Sequence, residues 1–221
     1  MSTHGSAGAG TRGASAGATR RRIIDAATTL LLDGGYHSMS ISELAAAAKV
    51  SPQTVYNAIG GKSEVVKLVY DTMLVGDDAP VAMADRPEFR ALSAATDHDE
   101  FMRAYARLSG VIYDRVGRLL GVLLAEGAGS DPGLRDFVRT IDAERRAGNT
   151  NALKAMETSL GLPDAFAADP FVDEVWCLTA PEVYDRLVRR CRWSHEAYTH
   201  WLEEVLVEAL RRHCRSPRAM P

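Results

Sequence analysis

The stretch from Ser40 to Lys62, SISELAAAAKVSPQTVYNAIGGK, constrains this chain more than any other. Ser40 followed three residues later by Glu43 is a capping box: the hydroxyl takes one orphan backbone N–H and the carboxylate reaches back to another, which predicts a helix from Ile41. Ile41, Leu44, Ala45 and Ala48 recur at helical spacing, and the small Ala45 and Ala48 leave room for a second helix to cross closely. Ser51-Pro52 is another start signal, because Pro at the first helical position loses only an N–H that has no partner there. The second helix is short and stops after Ile59 at Gly60-Gly61, which accept the left-handed conformation that ends helices. Between the two lie only Lys49 and Val50, the latter an apolar plug that holds the pair at an angle. The pattern is that of a helix-turn-helix.

In such a motif the first residues of the second helix meet base edges in the major groove. Gln53 is the candidate for a base contact, since its amide pairs bidentately with adenine. Ser51 at the cap, Pro52 with an apolar face for a thymine methyl, and Thr54 with a hydroxyl stand beside it. Tyr56 and Asn57 lie further round, toward phosphates, while Ser40 and Lys62 at the starts of the flanking helices clamp the backbone. Gln53 and Asn57 on an arbitrary helix would be solvated surface; the complete motif around them favours DNA. Arg20, in a basic run with Arg12, Arg21 and Arg22, either reaches DNA from an arm or is a solvated charge. Tyr36 follows a Gly34-Gly35 helix stop and is read as packing the head.

From Thr19 through Leu68 the chain resembles the tetracycline-repressor (TetR) family of bacterial transcriptional regulators. The matching residues are Arg22, Ile24, Ala27, Gly35-Tyr36, Ser40-Ile41, Leu44-Ala45, Val50-Ser51, Thr54, Tyr56, Lys62 and Val65. Departures are Lys49 where Gly is usual, Met39 for the Thr before the capping Ser, Ile59 for an aromatic, and Gly61 for a capping Ser or Asn. Lys49 is expected in a left-handed conformation, at a cost of ~1 kcal/mol. The resemblance implies an all-α fold, with an N-terminal three-helix head and a C-terminal helical ligand-binding and dimerisation domain. It also makes Tyr56 the phosphate-binding aromatic. The partners it implies are double-stranded operator DNA, a second copy of the chain, and a small-molecule effector of unknown identity that releases a repressor.

The net charge of −3 hides an asymmetry: residues 1–70 hold 7 Lys/Arg against 4 Asp/Glu, and residues 71–221 hold 19 against 25. Only the first third has the sign that suits phosphates. No apolar run reaches the roughly 18 residues of a membrane span and the N-terminus lacks a signal-peptide core, so a cytoplasmic protein without a membrane partner is expected. Cys177, Cys191 and Cys214 are far apart without CxxC spacing, and His195 and His200 are five apart, so no metal site or cofactor is expected. Enzyme readings find no glycine loop or nucleophile elbow, and acids such as Glu126, Asp136 and Glu144 carry little weight alone. The alternative function is a helical ligand-binding or protein-interaction regulator that acts through a partner protein.

The domain reading is a disordered arm over residues 1–18, a helix-turn-helix domain over 19–62, and an effector-binding and dimerisation domain over 63–221. Helices are expected from Thr19 to Gly34, from Lys62 to about Val75, then near 86–95, 98–127 with a break at Gly110 or Gly117, 131–160, 168–191 kinked at Pro181, and 194–213, with a break over 76–80. Val183, Tyr184 and Leu187 form one apolar stripe, and Tyr198, Trp201 and Val205 lie on another. Periodicity leaves them as core or interface; the resemblance implies dimerisation through them. Phe101, Met102, Tyr105, Tyr113, Phe137, Ile141 and Trp176 are the candidate ligand-lining residues, each with a plain core reading beside it. Arg145, Arg146, Asn149 and Asn151 face water or a ligand.

Overall fold

The computed structural model describes residues 8–76, 86–127, 131–162, 166 and 168–215. Among these the chain is all-helical, in the order α1 (Gly8–Ser38), α2 (Ile41–Ala47), α3 (Pro52–Ala58), α4 (Lys62–Val75), α5 (Pro87–Ser93), α6 (His98–Gly127), α7 (Pro132–Leu160), α8 (Ala168–Leu178), α9 (Pro181–Tyr184, continuing as a π-helical turn Asp185–Arg190) and α10 (His195–Arg215). The helices fall into two compact units, Met1–Met73 with Val122–Phe137, and Leu74–Gly121 with Val138–Pro221.

In the first unit the expected caps are present. Ser40 accepts from the Glu43 N–H at 3.1 Å and the Glu43 carboxylate accepts from the Ser40 N–H at 2.8 Å, which starts α2. Its end is a Schellman turn: Val50 N–H donates to Ala45 O at 2.9 Å and Lys49 N–H to Ala46 O at 3.2 Å, with Lys49 left-handed at φ 55°. Gly60 ends α3 at φ 132°. Ile23, Ala27, Leu31, Met39, Leu44, Val55 and Val66 form the fully enclosed core of this unit. Met39, a departure from the family pattern, fills that core.

Residues 8–18 depart from the expected disordered arm, since α1 begins at Gly8. Ala9, Ala14, Ala16 and Ala18 are strong helix formers, and among the residues whose burial is described the first buried side chain of α1 is Ile23. Residues 1–7, and 77–80 of the expected break, lie outside the described residues.

In the second unit α6 runs unbroken, against the expected break at Gly110 or Gly117. These glycines are close-packing sites instead. A Cβ at Gly110 would stand 2.5 Å from Thr199 Oγ1, and one at Gly117 would stand 2.4 Å from the Tyr184 ring, so the missing side chains let α10 and α9 lie against α6. The helix expected over 168–191 is two: α8 ends at Leu178, and Pro181 opens α9 at its first turn. Arg145 stabilises that end of α8, donating to Trp176 O at 3.2 Å and Thr179 O at 2.7 Å.

Candidate functional site

The exposed face of α3 is the first site. Ser51 caps it by accepting the Thr54 N–H at 3.1 Å, and its hydroxyl lies 2.8 Å from the Thr54 hydroxyl. Only Val55 of α3 is buried. Pro52, Gln53, Tyr56 and Asn57 are exposed, Tyr56 with 52% of its surface open, an unusual position for an aromatic without a partner. Gln53 Nε2 donates to Asn57 Oδ1 at 2.9 Å, so the two amides form one preoriented polar surface a helical turn apart. The face carries no charge of its own. It offers amide, hydroxyl and aromatic groups of the kinds that can hydrogen-bond to base edges and phosphate oxygens.

Arg20 is exposed and lies at the end of α3. Its guanidinium donates to Ala58 O at 3.1 Å, a carbonyl of the last residue of α3, where a cation satisfies an orphan acceptor and complements the helix dipole. It orients the recognition helix. Arg22 donates to Thr19 Oγ1 at 3.3 Å on its own helix.

Lys62 is half-buried, with its ammonium 3.9 Å from the centroid of the Tyr36 ring, a cation–π contact. Burial holds its pKa below the usual lysine value, outweighing the attraction of Asp131, Glu126 and Glu43. Tyr36 donates its hydroxyl to Asp131 Oδ1 at 3.1 Å, and burial followed by that bond pushes its pKa up to about 12. Asp131 also accepts the Leu134 N–H at 2.9 Å, and Glu126 accepts the His37 N–H at 3.0 Å. The corner Gly35–His37 is thus pinned by the end of α6 and the start of α7. Gly35, at φ 82°, is required there, because a Cβ would stand 1.9 Å from Glu126 Oε1. The packing role read for Tyr36 is the one it has, and Glu126 serves as a backbone acceptor.

The second site is a small cavity in the second unit. Phe101, Met102 and Tyr105 of α6 line it with Asn149, Ala152, Leu153 and Met156 of α7 and Phe171, Val172 and Val175 of α8. The other expected lining residues stand elsewhere. Phe137 packs edge-on against Tyr70 in the first unit at 5.9 Å. Tyr113 is buried, stacks on Tyr184 at 5.2 Å and donates to Thr179 O. Ile141 is buried core and Trp176 is half-buried, neither on the cavity wall. Asn149 is the residue of this site that sequence reasoning left undecided. Its spacing held the signal: Ile141, Arg145, Asn149 and Leu153 recur every four residues, so a neutral polar group sits within an apolar stripe. Of the other polar residues in that patch, Arg146 pairs with Asp173 at 2.6 Å on the surface and Asn151 is exposed.

The apolar stripes near the C-terminus divide. Tyr184 and Tyr198 belong to the interior of the single chain, 7% and 0% exposed, meeting edge to face at 4.9 Å, so they offer nothing to a second copy. Val183, Leu187, Trp201 and Val205 remain half-covered.

An all-helical protein whose N-terminal unit displays a capped, exposed recognition helix belongs to the helix-turn-helix DNA-binding regulators. Residues 23–69 match the sequence model described as "Bacterial regulatory proteins, tetR family". Solved structures similar along nearly the whole chain include the fatty acid degradation regulator FadR from Bacillus halodurans (19% identity, 87% of this chain and 96% of that one, TM-score 0.64). Two others are a protein assigned to the TetR-family transcriptional regulators from Mesorhizobium loti (20% identity, 90% and 96%, TM-score 0.59) and a transcriptional regulator from Rhodococcus sp. Rha1 (16% identity, 90% and 99%, TM-score 0.58). No curated protein matches the chain by sequence. Residues 23–69 thus carry the sequence pattern of the TetR family, and the chain as a whole has the fold of these solved structures.

Proposed function

We propose that the protein is a homodimeric, sequence-specific repressor that a small-molecule ligand releases from its operator. The observation that carries this is the face of α3, where Pro52, Gln53, Tyr56 and Asn57 stand exposed on a helix capped at its start by Ser51 and held at its end by Arg20. Dimerisation is supported by the half-covered Val183, Leu187, Trp201 and Val205, together with Trp193, 38% exposed. Effector binding is supported by the apolar cavity between α6, α7 and α8. The Bacillus halodurans relative regulates fatty acid degradation, and at 19% identity it supports a regulator of this build without assigning the effector.

The test is binding of the purified protein to DNA upstream of its own reading frame. The expected result is a specific-to-nonspecific ratio of at least ~10³ at physiological salt. A ratio near one across the neighbouring promoters would overturn operator recognition and favour regulation through a partner protein.

A further inference from the structure

We infer that the cavity of the second unit takes a neutral, apolar molecule with one hydrogen-bond acceptor, held at its polar end by Asn149. This rests on the reading of that unit as effector-binding. The walls are Phe101, Met102, Leu153, Met156, Phe171 and their neighbours, and the polar groups on them are Tyr105 and Asn149. Asn149 is only 6% exposed. Its Oδ1 accepts the Tyr105 hydroxyl, while its Nδ2 is buried with no acceptor. A buried donor left unpaired is costly, and interiors almost always satisfy such groups. The group that completes the pair is a carbonyl, ether or hydroxyl oxygen brought by the ligand.

The same walls argue against a charged ligand. No cation stands among the lining residues. Arg145, one helical turn before Asn149, is already committed to Asp142 at 3.0 Å and to the Trp176 and Thr179 carbonyls. A carboxylate placed here would lose its hydration and gain only the neutral Asn149 amide, with no cation to offset its charge. The cavity is now about 10 Å³, room for roughly one water. A larger ligand therefore enters by rotating Met102 and Met156, the flexible side chains of the wall, past the stiffer Phe101 and Phe171.

Calorimetric titration of the full chain with 2-octanone, octanoate and octylammonium at pH 8 tests this. The ketone is expected to bind at least about tenfold more tightly than either ion. Asn149→Leu is expected to weaken the ketone by about tenfold, the scale of one buried hydrogen bond. Tyr105→Phe with Asn149→Leu removes both polar partners and guards against a misfolded single variant; it must show the same loss. Equal ketone affinity in wild type and variants overturns the inference. So does octanoate or octylammonium binding as tightly as the ketone, or no binding of any of the three at millimolar concentration. Operator affinity measured alongside separates the two proposals. Asn149-dependent ketone binding that leaves operator affinity unchanged keeps this site and rejects ligand release. Release by a molecule that ignores Asn149→Leu keeps release and rejects this site.

Discussion

Lys49 shows how one side chain records a compromise. The Schellman turn between α2 and α3 demands a left-handed residue, and a lysine holds it at φ 55°. Lys49→Gly removes the Cβ clash and is expected to raise stability by about 1 kcal/mol, seen as a later urea midpoint with unchanged m-value. Glu43 is a second case. Its hydrogen bonds to the Ser40 hydroxyl and N–H hold its pKa below the ordinary 4.5. A depressed carboxylate pKa contributes stability that is present above the unfolded value and lost as pH falls through the folded one. Protection of the 41–47 amides against exchange is therefore expected to decline below about pH 4.5. Glu43→Gln keeps a capping-box side chain but does not titrate, so its protection should vary less over that range. An equal acid decline in both proteins would assign the effect to other carboxylates such as Asp131, whose pKa is also depressed, first by the Leu134 N–H.

The helices differ in how openly the chain declares them. The helix-turn-helix is written locally: a capping box, a Ser-Pro start and a glycine stop each act within four residues, so α2 and α3 begin where the caps place them. What the caps cannot encode is contact between distant segments. Arg20 meets Ala58 across 38 positions and Tyr36 meets Asp131 across 95, so neither role is visible in local pattern. Gly117 is the clearest instance. Its sequence signal is a helix weakener, yet α6 continues through it because the gap where its side chain would be holds the Tyr184 ring. Gly117→Ala gains helix propensity of roughly 1 kcal/mol, but the new methyl would stand 2.4 Å from that ring. Overpacking costs typically 1–3 kcal/mol, so the clash wins and the net expectation is a lower melting temperature. A higher one would show that α9 yields easily. Aromatic residues mislead for a related reason: Tyr113 and Phe137 have the same composition signal as Phe101, but the topology commits the first to Tyr184 and the second to Tyr70.

For the molecule as a whole, charge and valency decide how tightly it holds DNA. The first 70 residues carry a net +3 (7 Lys/Arg less 4 Asp/Glu) and the remainder −6 (19 less 25), so only the head attracts phosphates. The recognition face of α3 is itself uncharged, so under the proposed function Gln53 reads a base rather than supplying electrostatic affinity. Gln53→Ala is expected to relax preference at one operator position by about 1–3 kcal/mol while leaving the salt slope unchanged. One head alone engages few bases, and two heads on one operator add their contacts through a high effective concentration. Val205 tests that pairing better than Tyr198, because it is half-covered in one chain whereas Tyr198 is wholly enclosed. Val205→Asp places a carboxylate on the proposed contact and is expected to yield monomers with unchanged helicity by circular dichroism. Operator affinity should fall by at least about 100-fold, because the second head's contribution is lost, and the salt slope should fall toward half, because about half the phosphate contacts go with it. Light scattering decides the matter: a wild-type monomer at micromolar concentration would overturn the dimer, and a Val205→Asp dimer with full operator affinity would move the subunit contact away from α10.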